Sequence, residues 1–232
     1  MDIQNLLEFD RDLLLSLNGC NSLTFDNLMM TLTSGVTWIP LYLSLLFLII
    51  KNNENIRQIF LIITCSVLCI ALSDIVADLV AKPYFERWRP SNDPILKYTV
   101  NVVNNIRGGD YGFFSAHASN TFSIAIFFCL LVRSKLLSCS MILWSLINCY
   151  TRIYLGLHYP GDILVGLLWG ALVGSAVYYL YYRIERRISS KAQYVSTQYT
   201  SSGYDHNDVD ICIAVLCLTL VYAIIRSTII FQ

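Results

Sequence analysis

The chain has 232 residues, of which 56% are hydrophobic and only 14% are charged, and its formal net charge is zero. A soluble domain carries about 25% charged residues, so the composition excludes an ordinary soluble domain and favours a protein embedded in lipid. The balanced charge gives no indication of a nucleic-acid partner. The eight cysteines form no C-x-x-C pair and no Cys/His cluster, so neither a disulfide framework nor a zinc site is expected.

The first 31 residues are expected to lie in the membrane interface. Between Asp2 and Leu17, apolar residues recur at helical spacing with acidic and basic residues between them. This pattern predicts an amphipathic helix that is too charged to cross a bilayer. A second short apolar stretch, from Leu23 to Leu32, has a similar character. No positively charged region opens the chain, so a cleaved signal peptide is not expected.

Six later stretches are apolar over the length of about 20 residues that a membrane-spanning helix needs. They are Leu32–Ile50, Gln58–Ala81, Phe114–Val132, Leu136–Tyr154, Gly161–Tyr182 and Asp210–Ile230. The predicted fold is therefore all-α, an integral membrane bundle of six transmembrane helices preceded by N-terminal interfacial helices. We expect a membrane core over residues 32–182, a mobile cytoplasmic connector over 183–209 and a last transmembrane helix over 210–232.

Basic residues in the short loops predict the orientation of the bundle. Lysines and arginines lie between the first two spans, between the third and fourth, and after the fifth, which places these loops in the cytoplasm. Both termini then lie outside, as do the loops that hold His117 and His158. The outer loop Lys82–Gly112 is also basic, contrary to the positive-inside rule, and this indicates that its cations bind an anion. We expect a site on the external, periplasmic face of the cytoplasmic membrane.

Ionisable residues at membrane depth are costly and usually functional, and here they recur at three places facing the same side. These are Lys82 with Arg89-Pro90, Ser115-Ala116-His117, and the stretch Thr151–Asp162 that contains Arg152, His158 and Asp162. Three cations, a serine and the backbone N–H groups that open a helix suit the oxygens of a phosphate. His158 can attack phosphorus while Asp162 holds its other ring nitrogen, and His117 is free to protonate the departing oxygen. The set predicts a phosphoryl-transfer site.

The spacings K-x6-R-P, S-x-H and R-x5-H-x3-D resemble the three signature motifs of the type 2 phosphatidic acid phosphatase family, which includes membrane lipid phosphatases and soluble vanadium haloperoxidases. The resemblance implies that His158 is a nucleophile that forms a phosphohistidine, Asp162 its orienting partner and His117 the general acid. It also implies that the phosphate is held by Lys82, Arg89, Ser115 and Arg152. Two departures from the family pattern concern geometry: Phe114-Ser115-Ala116 stands where Pro-Ser-Gly is usual, and Thr151 precedes Arg152 in place of serine.

No metal and no other cofactor is required by this interpretation, because the only carboxylate within the motifs is Asp162. Asp74 and Asp78 share a helical face with Lys82, so they are predicted either to fix a cation of the site or, for Asp78, to reach water. The outer-loop residues before the second motif have two interpretations, a solvated loop, which is favoured, or recognition of a head group. They are Arg87, Asn104, Asn105, Arg107 and Asp110.

A site at the membrane edge suits a lipid whose head group meets the cations, so the predicted function is a membrane lipid phosphatase. The resemblance to small bacterial members of the family suggests undecaprenyl diphosphate or lipid A as substrate, with phosphatidylglycerophosphate and phosphatidic acid as further candidates. Two alternatives are a lipid phosphotransferase that uses the same phosphohistidine and a non-enzymatic anion or lipid transporter. The predicted spans exclude the soluble haloperoxidases. The sequence does not predict the oligomeric state.

Overall fold

The computed structural model describes residues 3–20, 22–188 and 197–229. Within these residues the regular structure is helical and the only β pairing consists of two isolated bridges, so the all-α prediction is confirmed. The helices are α1 (Ile3–Leu17), α2 (Leu23–Thr33), α3 (Ile39–Lys51), α4 (Ile56–Asp74), α5 (Lys82–Phe85), α6 (Ala116–Val132), α7 (Lys135–Tyr154), α8 (Pro160–Ile188) and α9 (His206–Ile229). A π-helical segment, Ile75–Ala81, joins α4 to α5.

Four helical runs in the described residues are long and apolar enough to cross a membrane, which supports an integral membrane protein. They are Ile56–Phe85, Lys135–Tyr154, Pro160–Arg187 and His206–Ile229. The first predicted span, Leu32–Ile50, corresponds to Gly35–Lys51, which reaches the length of a span only together with Leu23–Thr33, and the two are bent by 66°. The third is the 17-residue α6, which is about 26 Å long and shorter than a hydrocarbon core of about 30 Å. The predicted number of six spans is therefore not confirmed.

Helices α6 and α8 pack closely enough for backbone to meet backbone. Three glycines recur every fourth residue on α8, and an added Cβ at any of them would lie 2.5–2.7 Å from a carbonyl oxygen of α6. The glycines are Gly166, Gly170 and Gly174, and the facing carbonyls belong to Ser115, Ser119 and Ser123. Small residues at such intervals let membrane helices approach closely. This contact fixes the start of α6 against the start of α8, where two of the three motifs lie.

The N-terminal helix α1 packs against the rest of the protein near the start of α8. Leu14 is fully buried in a cluster that also contains Tyr159 and Ile163. On its other side α1 exposes large apolar residues, including Leu6, Leu7 and Phe9. An exposed apolar face suits a membrane surface, and the interfacial location of residues 1–31 stays a prediction.

The connector predicted over residues 183–209 is partly helical. Helix α8 continues through Ile188, while residues 189–196 lie outside the described part of the chain. Beyond them an isolated bridge between Tyr199 and Asp205 closes a turn that leads into α9. The last helix therefore begins at His206, earlier than the predicted 210, and residues 230–232 of that predicted span are again not described.

Candidate active site

The turn between α7 and α8 places His158 between the ends of two helices. The backbone N–H groups of Leu157 and His158 both donate to the carbonyl oxygen of Arg152, at 3.0 and 3.3 Å. Gly156 allows this reversal because its φ of +67° lies in the left-handed region, which L side chains rarely adopt. Helix α8 then begins at Pro160, whose fixed φ suits a first helical position. The third motif thus runs from the last turn of α7, through a short connection, into the first turn of α8.

The contacts of His158 define its tautomer. A terminal nitrogen of Arg89 lies 3.0 Å from Nε2 of His158. Because arginine can only donate, Nε2 must accept, and the ring proton is assigned to Nδ1. Nδ1 lies 3.7 Å from Oδ2 of Asp162, close to but beyond hydrogen-bond distance. Nε2 therefore carries the lone pair that a nucleophile needs.

The charge state of His158 follows from its surroundings. Its side chain is only 2% exposed, and burial lowers its pKa well below the ordinary value. The positive charges of Arg89, Arg152 and Lys82 lower the pKa further. His158 is consequently neutral at pH 7, as nucleophilic attack requires. Three cations that were predicted to bind phosphate thus all lower the pKa of this one imidazole.

Asp162 is fully buried and each of its carboxylate oxygens accepts a hydrogen bond. Oδ2 accepts from the backbone N–H of Tyr159 at 3.0 Å, and Oδ1 accepts from Arg87 at 2.6 Å. The guanidinium of Arg87 also donates to Asp10 of α1 at 2.6 Å and lies 4.1 Å above the ring of Tyr159. The favoured interpretation of Arg87 as part of a solvated loop is therefore wrong. Sequence reasoning assigned no role at the site to Asp10.

Arg89 and Arg152 each keep one buried donor without a protein partner. Arg89 donates to the carbonyl oxygen of Leu157 at 3.2 Å, and Arg152 donates to Oγ1 of Thr33 at 2.9 Å. In both side chains the buried Nε–H makes no hydrogen bond to any described residue. An unsatisfied buried donor is costly and calls for an explanation. Two of them on arginines that both act on His158 fit the binding of an anion.

Lys82 pairs with Asp78, one helical turn earlier. The prediction that Asp78 fixes a cation is thus supported by a direct contact, although the Asp78 side chain is 51% exposed. Asp74 contacts a different helix, where its Oδ1 accepts from the side-chain amide of Asn120 at 2.7 Å. Asp74 therefore contacts no cation of the site, and its predicted role is corrected to a contact between α4 and α6.

Ser115 and His117 stand at the start of α6. Oγ of Ser115 accepts from the N–H of Ala118 and caps the helix, while its own N–H donates to the carbonyl oxygen of Asp162 at 3.2 Å. Nε2 of His117 lies 3.3 Å from the carbonyl oxygen of Thr33. Thr33 thus contacts both His117, through its carbonyl, and Arg152, through its hydroxyl. No sequence signal marked this threonine, which ends an apolar stretch.

The described residues contain no group of three or more His, Cys, Asp or Glu side chains arranged to hold a metal ion. The expectation that no metal is needed stays a prediction.

Comparison with known proteins places the chain in a family. The model of the PAP2 superfamily matches residues 62–186, more than half of the chain. A lipid A 4'-phosphatase of Bacteroides thetaiotaomicron is 36% identical over 97% of this chain and 100% of its own length. A lipid A 4'-phosphatase of Porphyromonas gingivalis is 33% identical over 78% of this chain and 77% of its own length. No solved structure matches. The chain therefore belongs to the PAP2 superfamily and is a phosphoric ester hydrolase.

Proposed function

We propose that this protein is a lipid A phosphatase that removes the 4'-phosphate through a phosphohistidine on His158. The substrate is supported by two relatives of that name, one of which aligns over its whole length. The chemistry is supported chiefly by one observation, the two buried Nε–H donors of Arg89 and Arg152, which belong to the arginines that lower the pKa of His158. Undecaprenyl diphosphate, the other favoured lipid, has no such support from relatives.

In the first step Nε2 of His158 gives up the hydrogen bond that it accepts from Arg89 and attacks phosphorus, and the bond between phosphorus and the lipid oxygen breaks. His117 gives its proton to the departing oxygen, which leaves as the lipid alcohol. As the new N–P bond forms, the imidazole becomes cationic, and Asp162 beside Nδ1 stabilises that charge. In the second step water attacks the phosphohistidine, His117 takes a proton from that water, and inorganic phosphate is released.

Three cations stabilise the negative charge that the transition state spreads over the phosphate oxygens. Arg89 and Arg152 present their free Nε–H donors, and Lys82 exchanges its contact with Asp78 for one with the phosphate. The hydroxyl hydrogen of Ser115 and the N–H groups that open α6 add donors at a helix N-terminus. No step uses a metal ion, so activity should persist in excess chelator. Vanadate, which adopts the five-coordinate geometry of the transition state, should inhibit.

We further propose six transmembrane passages, with the bent pair and α6 counted as two of them, and a site on the periplasmic face of the inner membrane. The basic residues of the short loops between the first two spans, between the third and fourth, and after the fifth support this orientation. A cysteine introduced at Tyr98, which is 82% exposed in the outer loop, should react with a membrane-impermeant maleimide in intact cells. A cysteine introduced at Arg133, between α6 and α7, should react only after permeabilisation, and the opposite pattern would invert the proposed orientation.

The substrate is tested with the purified full chain in detergent and a panel of lipid A, undecaprenyl diphosphate, phosphatidylglycerophosphate and phosphatidic acid. We expect the fastest phosphate release from lipid A, loss of the 4'- and not the 1-phosphate by mass spectrometry, and no release by His158→Ala. Faster release from another lipid would refute the substrate. Transfer of phosphate to an added alcohol in preference to water would identify a phosphotransferase. Unchanged release by His158→Ala would refute the mechanism.

A further inference from the structure

Helix α1, which the sequence pattern assigned to the membrane surface, contributes a carboxylate to the neighbourhood of the site. Oδ1 of Asp10 accepts from the backbone N–H of Gly161 at 2.7 Å, and Oδ2 accepts from Arg87 at 2.6 Å. An added Cβ at Gly161 would lie 2.8 Å from Oδ2 of Asp10. Glycine at this position therefore leaves room for the aspartate, which is only 13% exposed. Both carboxylate oxygens of Asp10 therefore accept a hydrogen bond.

Arg87 differs from Arg89 and Arg152 in having carboxylates at both of its terminal nitrogens. One terminal nitrogen donates to Asp162 and the other to Asp10, each at 2.6 Å. The Cζ atom of Arg87 lies 4.1 Å from the centre of the Tyr159 ring. Each terminal nitrogen thus makes one charge-assisted hydrogen bond to a different carboxylate. Arg87 is a counterion for carboxylates and not a ligand for phosphate.

This ion pair bears directly on the orientation of the nucleophile. Asp162 is fully buried, and a buried carboxylate stays ionised and in place only when a cation and hydrogen bonds compensate its charge. Arg87 supplies that cation at Oδ1, and the opposite oxygen, Oδ2, faces Nδ1 of His158. A shift of Arg87 would rotate the carboxylate away from the imidazole. Asp10 fixes the second terminal nitrogen of Arg87 and so restricts that shift.

We propose that Asp10 and Arg87 are positioning residues of the active site, which act on His158 through Asp162, and that α1 is thereby part of the catalytic machinery. The inference rests on the proposed function in one respect, that His158 is the nucleophile. Its consequence is that docking of the N-terminal helix controls the rate of the phosphoryl-transfer step. Binding of phosphate, which falls to Lys82, Arg89 and Arg152, is unaffected.

The test compares Asp10→Asn, Arg87→Gln and the double variant in the purified full chain, with the phosphate ester of the panel that the unmodified protein cleaves fastest. Because misplacement of a reacting group by about 1 Å can slow a reaction about 100-fold, we expect kcat to fall by about 10-fold for Asp10→Asn and by about 100-fold for Arg87→Gln. The inhibition constant for inorganic phosphate, which meets the cations without a bond to His158, should stay within about two-fold, since the phosphate-binding cations are intact. Rates are expressed per monodisperse protein after size-exclusion chromatography, so that unfolded protein does not count.

Two further features separate positioning from a merely structural role. If Asp10 acts through Arg87, the double variant is no slower than Arg87→Gln alone, whereas independent effects multiply. Asp10→Glu should restore most of the rate, and Glu8→Gln, an exposed position on the same helix, should leave it unchanged. Wild-type rates in Asp10→Asn and Arg87→Gln, multiplicative effects in the double variant, or a matching loss of affinity for inorganic phosphate would refute the proposal. Full activity of His158→Ala would instead refute the proposed function.

Discussion

Replacing Gly166 with alanine should disturb the site from within the contact between α6 and α8. The added Cβ would lie 2.7 Å from the carbonyl oxygen of Ser115 and 3.0 Å from Cβ of Ala118. Relief to ordinary van der Waals distance requires a shift of about 0.7 Å between backbones. Ser115 stands two residues before His117, and Gly166 four residues after Asp162, so the shift separates groups that flank the proposed phosphate. Since about 1 Å of misplacement can cost about 100-fold, kcat should fall about 10- to 100-fold.

The matched control is Gly174→Ala on the same face of α8. Its Cβ would approach the carbonyl oxygen of Ser123 to 2.5 Å, but Gly174 lies about 18 Å along the helix from Asp162. Both variants overpack the interface, which destabilises by about 1–3 kcal/mol, so their thermal unfolding temperatures in detergent should fall alike. Only Gly166→Ala should lose more than about five-fold in phosphate release. Equal losses of rate in the two variants, or an unchanged rate in Gly166→Ala, would refute the reasoning.

Four further outcomes are expected. His117→Ala should slow phosphate release by about 10²- to 10⁴-fold, the usual contribution of a positioned acid, and a rate near that of the unmodified protein would exclude it as the acid. The pKa of His158 lies well below its ordinary value, so the imidazole stays neutral as the pH falls. The decrease of kcat/KM on the acid side that belongs to His158 should therefore lie well below pH 6.5. A decrease at or above that pH would contradict the assignment. Thr33→Val removes the hydroxyl that accepts from Arg152 but keeps the carbonyl near His117, so the vanadate inhibition constant should rise about 10-fold, and Thr33→Ser should restore it. Activity should survive excess chelator, and its loss with recovery on adding magnesium or zinc would show that a metal takes part.

The three motifs could be predicted from the sequence because each is local. In R-x5-H-x3-D the arginine lies in the last turn of α7, the histidine in the short connection and the aspartate in the first turn of α8, so the spacing along the chain already keeps them close. The helical elements were also predictable, since apolar runs of this length leave few alternatives. A break near Leu32 was predicted and lies at Ser34, but the pairing of α2 and α3 as one bent run was not, because the stretch from Leu23 to Leu32 was assigned to the interface.

Asp10, Thr33 and Arg87 could not be assigned because their roles depend on contacts between distant parts of the chain. Asp10 is one of several charged residues in α1, and nothing local distinguishes it from Glu8 or Asp12. Arg87 lies inside the K-x6-R-P spacing, where the sequence favoured a solvated loop and left head-group recognition as the alternative. Only the structure places it against two carboxylates. The three arginines near the site therefore differ in the groups that they contact. Arg89 and Arg152, which each keep a free buried donor, lower the pKa of His158, whereas both terminal nitrogens of Arg87 are paired with carboxylates, one of them that of Asp162. In the proposed mechanism, Arg87 can therefore set the orientation of the nucleophile without competing for the substrate.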